Sequence, residues 1–424
     1  MSQNTPSINE WTGTAEQKLW GLMQIWSEAK YNFAFFDRHP DLDWDAEVQK
    51  RIPQVMDSKD MVEYYHVLQE LVSMLNDGHT VVMFSRETRA SLDTPPLELQ
   101  MVEEKIVITR VGETVEIKDQ GIYPGLEVID VDGIPAKKYL QENAVRYYRG
   151  GTEQWGNAFG LFNLLQGPRD SVVSLMLKEI DVLTHVVTLK RNSTIGEGQT
   201  FKHRIVDFDP LVETKLMDGI AYFRLSTFED EQIIDKFNQE MDRLDLNALK
   251  GMVIDIRYNI GGESGIAFKI ISRLTDHPLE AEKWKTRKYL PAYRAWGNPE
   301  EWHEDKQQDI QPYSGTCYTG PLSVLIGPHT FSSAEDFLVP LAHAKRAMLI
   351  GEKTAGSTGQ PLRILLPGGG YCLICTLQST FPDGREFVGY GIEPDIVVQP
   401  TQKDICENRD VVLERSIVEL TRIG

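Results

Sequence analysis

Ser332 stands where a serine hydroxyl could act as a nucleophile. An apolar run ends at Ile326, the turn Gly-Pro-His-Thr-Phe follows, and Ser332 comes at the start of a predicted helix. Free backbone N–H groups and the positive end of a helix dipole would favour the oxyanion formed in acyl transfer. The same Ser-x-x-Glu pattern, closed by Glu335, is also a capping box that only starts a helix. On this motif alone, both interpretations remain open.

Three further blocks accompany this serine in order along the chain. They are Val253-Ile-Asp-Ile-Arg-Tyr-Asn-Ile-Gly-Gly, Gly351-Glu-Lys-Thr-Ala-Gly and Gly391-Ile-Glu-Pro-Asp-Ile-Val-Val. With the serine block, they resemble the motifs of tail-specific, carboxyl-terminal-processing serine peptidases, and the resemblance covers about residues 60 to 398. In that family the serine three residues before the glutamate attacks the peptide. The resemblance therefore implies Ser332, not Ser333, as the nucleophile.

The glycines of the first block have an expected role beside this serine. Glycine lets the backbone approach a substrate carbonyl closely enough to present an N–H group to it. The resemblance implies an oxyanion hole built from Gly261 or Gly262 together with the N–H of Ser333. No metal or other cofactor is needed for this chemistry.

A serine hydroxyl is unreactive without a base, and the family offers two kinds. One branch uses a lysine immediately after the third block, where this chain has Ser357, and Lys353 occupies a different place. The other branch, similar to tricorn protease, uses a histidine at the end of an N-terminal helix. Leu-Asn-Asp-Gly-His-Thr fits that pattern and implies His79 as the general base, with His329 as a local rival.

Two departures from the tricorn-like pattern concern the group that orients the histidine. Such relatives have a serine before the histidine, where this chain has Gly78, and a glutamate where this chain has Val388. Glu386 lies two residues before Val388 and would point to the same face of a strand. We therefore expect Glu386 to orient His79.

The elements that must position these residues fall into three predicted segments. Residues 1–90 form an N-terminal helical region, because apolar residues recur at helical spacing, and Gly78 is expected to supply the left-handed turn that ends a helix. Residues 91–207 carry short β-type runs, and the stretch from Gly121 to Pro135 resembles a PDZ domain. PDZ-type modules bind peptides by adding them as a strand to a sheet edge.

Residues 208–424 alternate β runs with helices, which predicts an α/β layer with a largely parallel sheet. This catalytic domain resembles the crotonase fold. Residues 278–318 interrupt the alternation and are expected to be a surface excursion, either a substrate wall or a locally packed insertion. The predicted fold class is therefore α+β multidomain, with a helical region, a PDZ-like β module and a crotonase-like α/β domain.

Composition restricts the partners and the compartment. The net charge is −19 and there is no run rich in Lys or Arg, so nucleic acid is a poor candidate partner and a peptide or protein is expected. The start, Met-Ser-Gln-Asn-Thr-Pro-Ser, has no basic or apolar region of a signal peptide, and no later segment has the apolar length of a membrane span. As written, the sequence predicts a cytoplasmic protein; an extracytoplasmic location is expected if the natural chain begins further upstream.

Three functions compete at this level. The first is a serine endopeptidase that works through an acyl-enzyme on Ser332 with His79 as general base. The second is a catalytically impaired protein of the same fold that binds a peptide or a small apolar ligand, as retinoid-binding relatives do. The third is acyl-coenzyme A chemistry on the crotonase-like layer, for which the serine block would have no purpose.

Overall fold

The computed structural model describes residues 13–180, 184–196 and 198–423. The opening segment, on which the expectation about export rests, lies outside the described residues. The helices are α1 Ala15–Asn32, α2 Trp44–Asp57, α3 Met61–Ser73, α4 Arg86–Ser91, α5 Val115–Asp119, α6 Ala136–Asn143, α7 Glu153–Asn163, α8 Gln232–Asp242, α9 Ser264–Ile271, α10 Pro291–Ala295, α11 Ser333–His343, α12 Gln402–Cys406 and α13 Val411–Ile423.

The strands are mostly short, as the sequence pattern predicts. They are β1 Val81–Met83, β2 Leu92–Asp93, β3 Leu97–Val102, β4 Lys105–Val111, β5 Glu127–Val131, β6 Ile134–Pro135, β7 Gly167–Pro168, β8 Val172–Lys178, β9 Thr184–Lys190, β10 Thr194–Gly196, β11 Gln199–Thr200, β12 Val212–Met217, β13 Ile220–Leu225, β14 Gly251–Asp255, β15 Lys283–Lys288, β16 Glu301–Lys306, β17 Leu322–Ile326, β18 Met348–Gly351, β19 Pro361–Leu365, β20 Tyr371–Cys375, β21 Leu377–Thr380 and β22 Ile396–Val397.

The N-terminal helices begin at side-chain caps. Thr14 and Gln17 form a reciprocal capping box at α1, and Asp60 accepts a hydrogen bond from the N–H of Glu63 at the start of α3. The end of α3 differs from the prediction. The left-handed residue is Asn76, with φ of 45°, rather than Gly78. Asparagine tolerates this region because its short polar side chain can form local hydrogen bonds.

A separate antiparallel sheet follows, with the strand order β3-β4-β5-β8-β9 and β6 paired to β5. Its buried residues form their own apolar cluster with α6 and α7. Strand β3 ends this sheet on one side, and α7 lies against it. The described part of this segment is thus a module with its own core, placed where the sequence predicts a β module.

The α/β layer holds a six-stranded sheet in the order β12-β13-β14-β17-β18-β22. Within this sheet, the neighbouring strands from β13 through β14, β17 and β18 to β22 are parallel. Strand β12 pairs antiparallel with β13 at one edge. Because β14 and β17 are parallel neighbours, the turns that follow them meet at the same edge of the sheet. Ligands of open α/β sheets bind at such carboxyl ends. The segments 256–263 and 327–332 therefore lie side by side.

The interrupting segment 278–318 is a hairpin of β15 and β16, and β15 also pairs with β21. Strand β20, which precedes β21 in the chain, pairs with β1 and β19 in a separate three-stranded sheet. Cys372 and Cys375 lie on β20 as buried free thiols.

One apolar core joins the N-terminal helices to the α/β layer. It contains residues of α1 to α3, such as Leu68, together with Ile254 of β14 and Phe337 of α11. A smaller cluster between the opposite face of the sheet and α13 includes Val253 and Leu420. Within the described residues, no helix combines the length and apolarity needed to cross a membrane. The domain boundaries at 90 and 207 stay predictions.

We expect Leu68→Ala to destabilise both α3 and β14, because the side chain is fully buried in the core that they share. The expected loss in the free energy of unfolding is about 2–5 kcal/mol. Hydrogen-exchange mass spectrometry in urea would follow peptides from both elements. Val115→Ala, at a position that is 74% exposed, is the control. Faster exchange in α3 alone would contradict a common core.

Candidate active site

Ser332 is held in a conformation that few residues other than glycine adopt. Its φ of 59° and ψ of −131° place it at the N-cap of α11, yet its side chain makes no capping hydrogen bond. Its N–H donates to the carbonyl of Ser357 at 2.9 Å, which fixes the backbone. The structure therefore decides against the simple capping box, because the hydroxyl is turned away from the helix that it precedes.

The Ser332 hydroxyl faces the imidazole of His79. Oγ of Ser332 lies 2.9 Å from Nε2 of His79, although the two residues are 253 positions apart in the chain. The segment that carries His79 is fixed on both sides. The Asp77 carboxylate accepts from the N–H of His79 at 3.1 Å, and the Tyr148 hydroxyl donates to the carbonyl of Gly78 at 2.6 Å.

The plane of the imidazole is set by an aromatic stack. The His79 ring lies 4.5 Å from the Phe331 ring, centroid to centroid, with an angle of 8° between the planes. Trp155 stacks on the other face of Phe331 at 4.4 Å, and its indole N–H donates to the Tyr148 hydroxyl. Burial lowers the pKa of His79 from the ordinary 6.5 to about 4. The ring is therefore neutral at physiological pH and able to accept a proton.

Ser357 contacts the other ring nitrogen of His79. Its Oγ lies 2.7 Å from Nδ1 of His79. Gly78 makes room for it, because a Cβ at position 78 would come within 2.5 Å of the Ser357 side chain. The absence of a side chain at Gly78 is thus what lets the hydroxyl of Ser357 reach the histidine from a different element.

Behind Ser357 lies the buried carboxylate of Glu335. It accepts hydrogen bonds from the N–H groups of Ser357 and Gly356, at 2.7 and 2.9 Å, and from the Thr354 hydroxyl at 2.5 Å. Burial raises the pKa of Glu335 from 4.5 to about 8, against the lowering effect of these donors. Glu335 therefore anchors the loop that carries Ser357 instead of closing a capping box with Ser332.

Glu386 does not reach the histidine, which corrects the expectation from the sequence. Its carboxylate is half exposed and lies 3.5 Å from the guanidinium of Arg38. Val388 is buried, and its carbonyl accepts from the same guanidinium at 2.7 Å. The backbone thus turns Glu386 toward Arg38, while Nδ1 of His79 is taken by Ser357.

The two other candidate bases are engaged elsewhere. The His329 ring packs against the rings of Tyr258 and Trp155, and burial lowers its pKa to about 4. Lys353 forms an ion pair with Glu393 at 2.5 Å. Among the described residues, His79 is the base within hydrogen-bonding distance of Ser332.

The glycine turn lies directly against the serine. A Cβ on Gly261 would come within 2.6 Å of the Ser332 Cβ and 2.9 Å of the Ser333 nitrogen. The N–H of Gly261 already donates to the Asn259 side chain at 2.8 Å. In the described part of the chain, the N–H groups of Gly262 and Ser333 have no acceptor. Of the two glycines, Gly262 is thus the one with a free donor.

Two residues of the site were not revealed by the sequence: Ser357, which contacts His79, and Glu335, which anchors the loop that carries Ser357. Ser357 is visible only as the residue that stands in place of the family's lysine, and Glu335 only as half of a capping pattern. Their roles depend on a long-range approach of three segments, which spacing in the sequence does not show.

Comparison of this chain with known proteins finds a matching family model. Residues 219–398 match the model for Peptidase family S41. The matched segment makes up less than half of the chain, and over it the chain is similar to peptidase family S41. The match includes the glycine turn and Ser332, whereas His79 lies outside it. The prediction of a tail-specific serine peptidase is confirmed by relatives with that name.

Among the relatives is the carboxyl-terminal-processing protease of Picosynechococcus sp., with 24% identity over 401 residues, covering 91% of this chain and 84% of that protein. The structure of mature CPAF complexed with lactacystin is similar in fold, with a TM-score of 0.75, 15% identity and coverage of 96% of this chain and 98% of that one. The photosystem II D1 C-terminal processing protease gives a TM-score of 0.53, 18% identity and coverage of 92% and 96%. The chain is therefore a mixed α/β protein with the fold of these peptidases.

We expect Gly261→Ala to displace Ser332, because the added Cβ would collide with the Ser332 Cβ and with the carbonyl of Phe331, at 2.6 and 2.8 Å. A shift of this kind should slow labelling of the serine by a fluorophosphonate about 100-fold. Gly133→Ala is the matched control, since its φ is also positive, at 80°, and a Cβ there meets nothing within 4 Å. Equal labelling rates in the two variants would contradict the close contact.

Proposed function

We propose that this S41 protein is a serine endopeptidase that cleaves peptide bonds through an acyl-enzyme on Ser332, with His79 as general base. The observation that carries the proposal is the 2.9 Å approach of Nε2 to Oγ, which lies within the reach needed for proton transfer. The imidazole is neutral before reaction because burial lowers its pKa. Ser332 is half-buried, and Gly262, which follows the glycine in contact with Ser332, is exposed, which leaves room for a substrate carbonyl.

The chemistry follows from these positions. The Ser332 oxygen attacks the carbonyl carbon, and His79 takes the hydroxyl proton as the new C–O bond forms. The oxyanion is stabilised by the N–H groups of Gly262 and Ser333 at the start of α11, where the helix dipole is positive. His79 then gives the proton to the departing amine. In the second half, a water molecule that is deprotonated by His79 releases the acid and restores Ser332.

Ser357 serves as the positioning residue for His79 in this proposal. When Nε2 accepts the Ser332 proton, Nδ1 carries a hydrogen that the Ser357 hydroxyl can accept at 2.7 Å. A hydroxyl selects the correct tautomer but stabilises an imidazolium less than a carboxylate does, because it carries no charge. In tricorn-like relatives a serine precedes the histidine. Here the Ser357 side chain fills the space that a side chain at Gly78 would occupy.

The proposal includes the PDZ-like and crotonase-like interpretations of the two larger segments. A cavity of about 390 Å³ lies between the edge strand β3 and helix α7, and its far end is formed by Pro328 and His329. An edge strand beside a helix can accept an extended peptide as an additional strand. Parallel strands with helical crossovers support the crotonase-like assignment for the layer that carries Ser332.

We expect a graded series of losses in kcat for peptide hydrolysis. Ser332→Ala and His79→Ala should each lower kcat by a factor of about 10⁴ or more, because each removes a member of one catalytic unit. Ser357→Ala should lower kcat roughly ten-fold with little change in KM, since it removes one hydrogen bond that orients the base. The measurement is hydrolysis of a mixed peptide library, followed by mass spectrometry.

Glu386→Gln is the control, because its carboxylate pairs with Arg38 and should leave kcat at the wild-type level. If folded wild-type protein cleaves no peptide and resists fluorophosphonate, the chain is instead an impaired member of the family that binds its ligand. The uncharged partner at Nδ1 is the observation that would then explain the loss.

The pH profile should reflect the low pKa of His79. Catalysis needs the neutral imidazole. As the pH is lowered, kcat/KM should therefore fall to half of its maximum near pH 4, because the pKa of His79 is about 4, and not near pH 6.5. His79 binds a proton more readily in the unfolded chain than in the folded protein, where it is buried. Lowering the pH below about 6.5 therefore also lowers the free energy of unfolding. Circular dichroism at each pH separates unfolding from titration. A midpoint near 6.5 in folded protein would contradict the buried neutral base.

A further inference from the structure

The cavity beside β3 is lined both by the β module and by the segment that precedes the nucleophile. Gln100 of β3 donates to the Tyr258 hydroxyl at 2.9 Å, and the Tyr258 ring packs against His329 at 5.6 Å. His329 lines the cavity and stands three residues before Ser332. A peptide in this groove would therefore lie beside the turn that carries Ser332.

The groove suits an extended chain. Strand β3 pairs with β4 on one edge, and its other edge has no strand partner within the described ranges. Buried apolar side chains from both walls form the floor, from Leu99 and Val102 on the strand and from Ala158 and Leu161 on α7. The open backbone groups of β3 can accept a strand, and the floor can accept one or two apolar side chains.

The rim of the groove is acidic. Four glutamates line it, namely Glu103 and Glu104 at the β3–β4 turn, Glu153 at the start of α7, and Glu352. No Lys or Arg belongs to the lining. Of the four carboxylates, only Glu104 has a cation within ion-pair distance in the described chain, which is Lys137 at 4.0 Å.

We infer that this groove binds an extended substrate segment that carries Lys or Arg side chains. This inference rests on the proposed peptidase function and names its substrate class. Cationic side chains of a bound strand would meet the carboxylates of the rim, three of which have no cation within ion-pair distance in the described residues, whereas an anionic side chain would meet like charge. A net charge of −19 strengthens the same preference at long range.

The test uses the full chain with Ser332→Ala, so that binding is measured without turnover. Three nine-residue peptides with amidated ends differ only at two positions, which hold Lys, Gln or Glu, and fluorescence anisotropy gives each Kd. We expect the Lys peptide to bind roughly ten-fold more tightly than the Glu peptide at low salt, and the ratio to shrink at about 0.3 M salt.

Charge reversal at the rim should invert this order. Glu104→Lys/Glu153→Lys, in the Ser332→Ala background, is expected to favour the Glu peptide. The matched control is Glu113→Lys/Glu142→Lys, which changes the net charge equally at exposed ion pairs outside the groove and should keep the preference for Lys. Glu104→Gln/Glu153→Gln provides a milder variant if the reversal impairs folding, and it should reduce the ratio between the Lys and Glu peptides.

Two outcomes would overturn the inference. One is equal affinity for the Lys and Glu peptides. The other is a preference for the Lys peptide that is unchanged in folded Glu104→Lys/Glu153→Lys. Both are independent of catalysis, because fluorophosphonate labelling of the wild type tests the peptidase proposal separately.

Discussion

The hydrogen bond between His79 and Ser332 is the constraint on which the rest of the structure depends. It joins the end of an N-terminal helix to the first turn of a helix in the α/β layer, across 253 positions of chain. Neither segment can hold its place alone, because a shift of about 1 Å is enough to impair proton transfer. The common apolar core of α1 to α3 and the sheet supplies that rigidity, and the stack of Phe331 and Trp155 refines it.

Much of this arrangement could be predicted from the sequence. The pattern predicts short β runs within residues 91–207, where the structure has strands such as Glu127–Val131, and it predicts the alternation of strands and helices after residue 208. The order of the motif blocks pointed to Ser332 and His79, which the structure brings together. Local patterns succeed here because strands, helices and tight turns depend mainly on neighbouring residues.

The failures concern contacts between distant segments. Glu386 was expected at His79 because of its place relative to Val388, but its direction is set by Arg38 of the N-terminal region. Ser357 reaches Nδ1 only because Gly78 leaves the space free. Gly78 thus serves close packing rather than the left-handed turn that the sequence suggested. Contacts among three distant segments produce no periodic pattern or fixed spacing in the sequence.

His79 precedes the α/β layer in chain order, and this order has a consequence for biosynthesis. A ribosome releases His79 early and Ser332 only after some 250 further residues. Until then the growing polypeptide carries a proton acceptor with no hydroxyl to activate, and afterwards the two meet only when the helices dock on the finished sheet. In the proposed mechanism, the onset of proteolysis is therefore coupled to the completion of folding, and a chain that ends before Ser332 has no nucleophile.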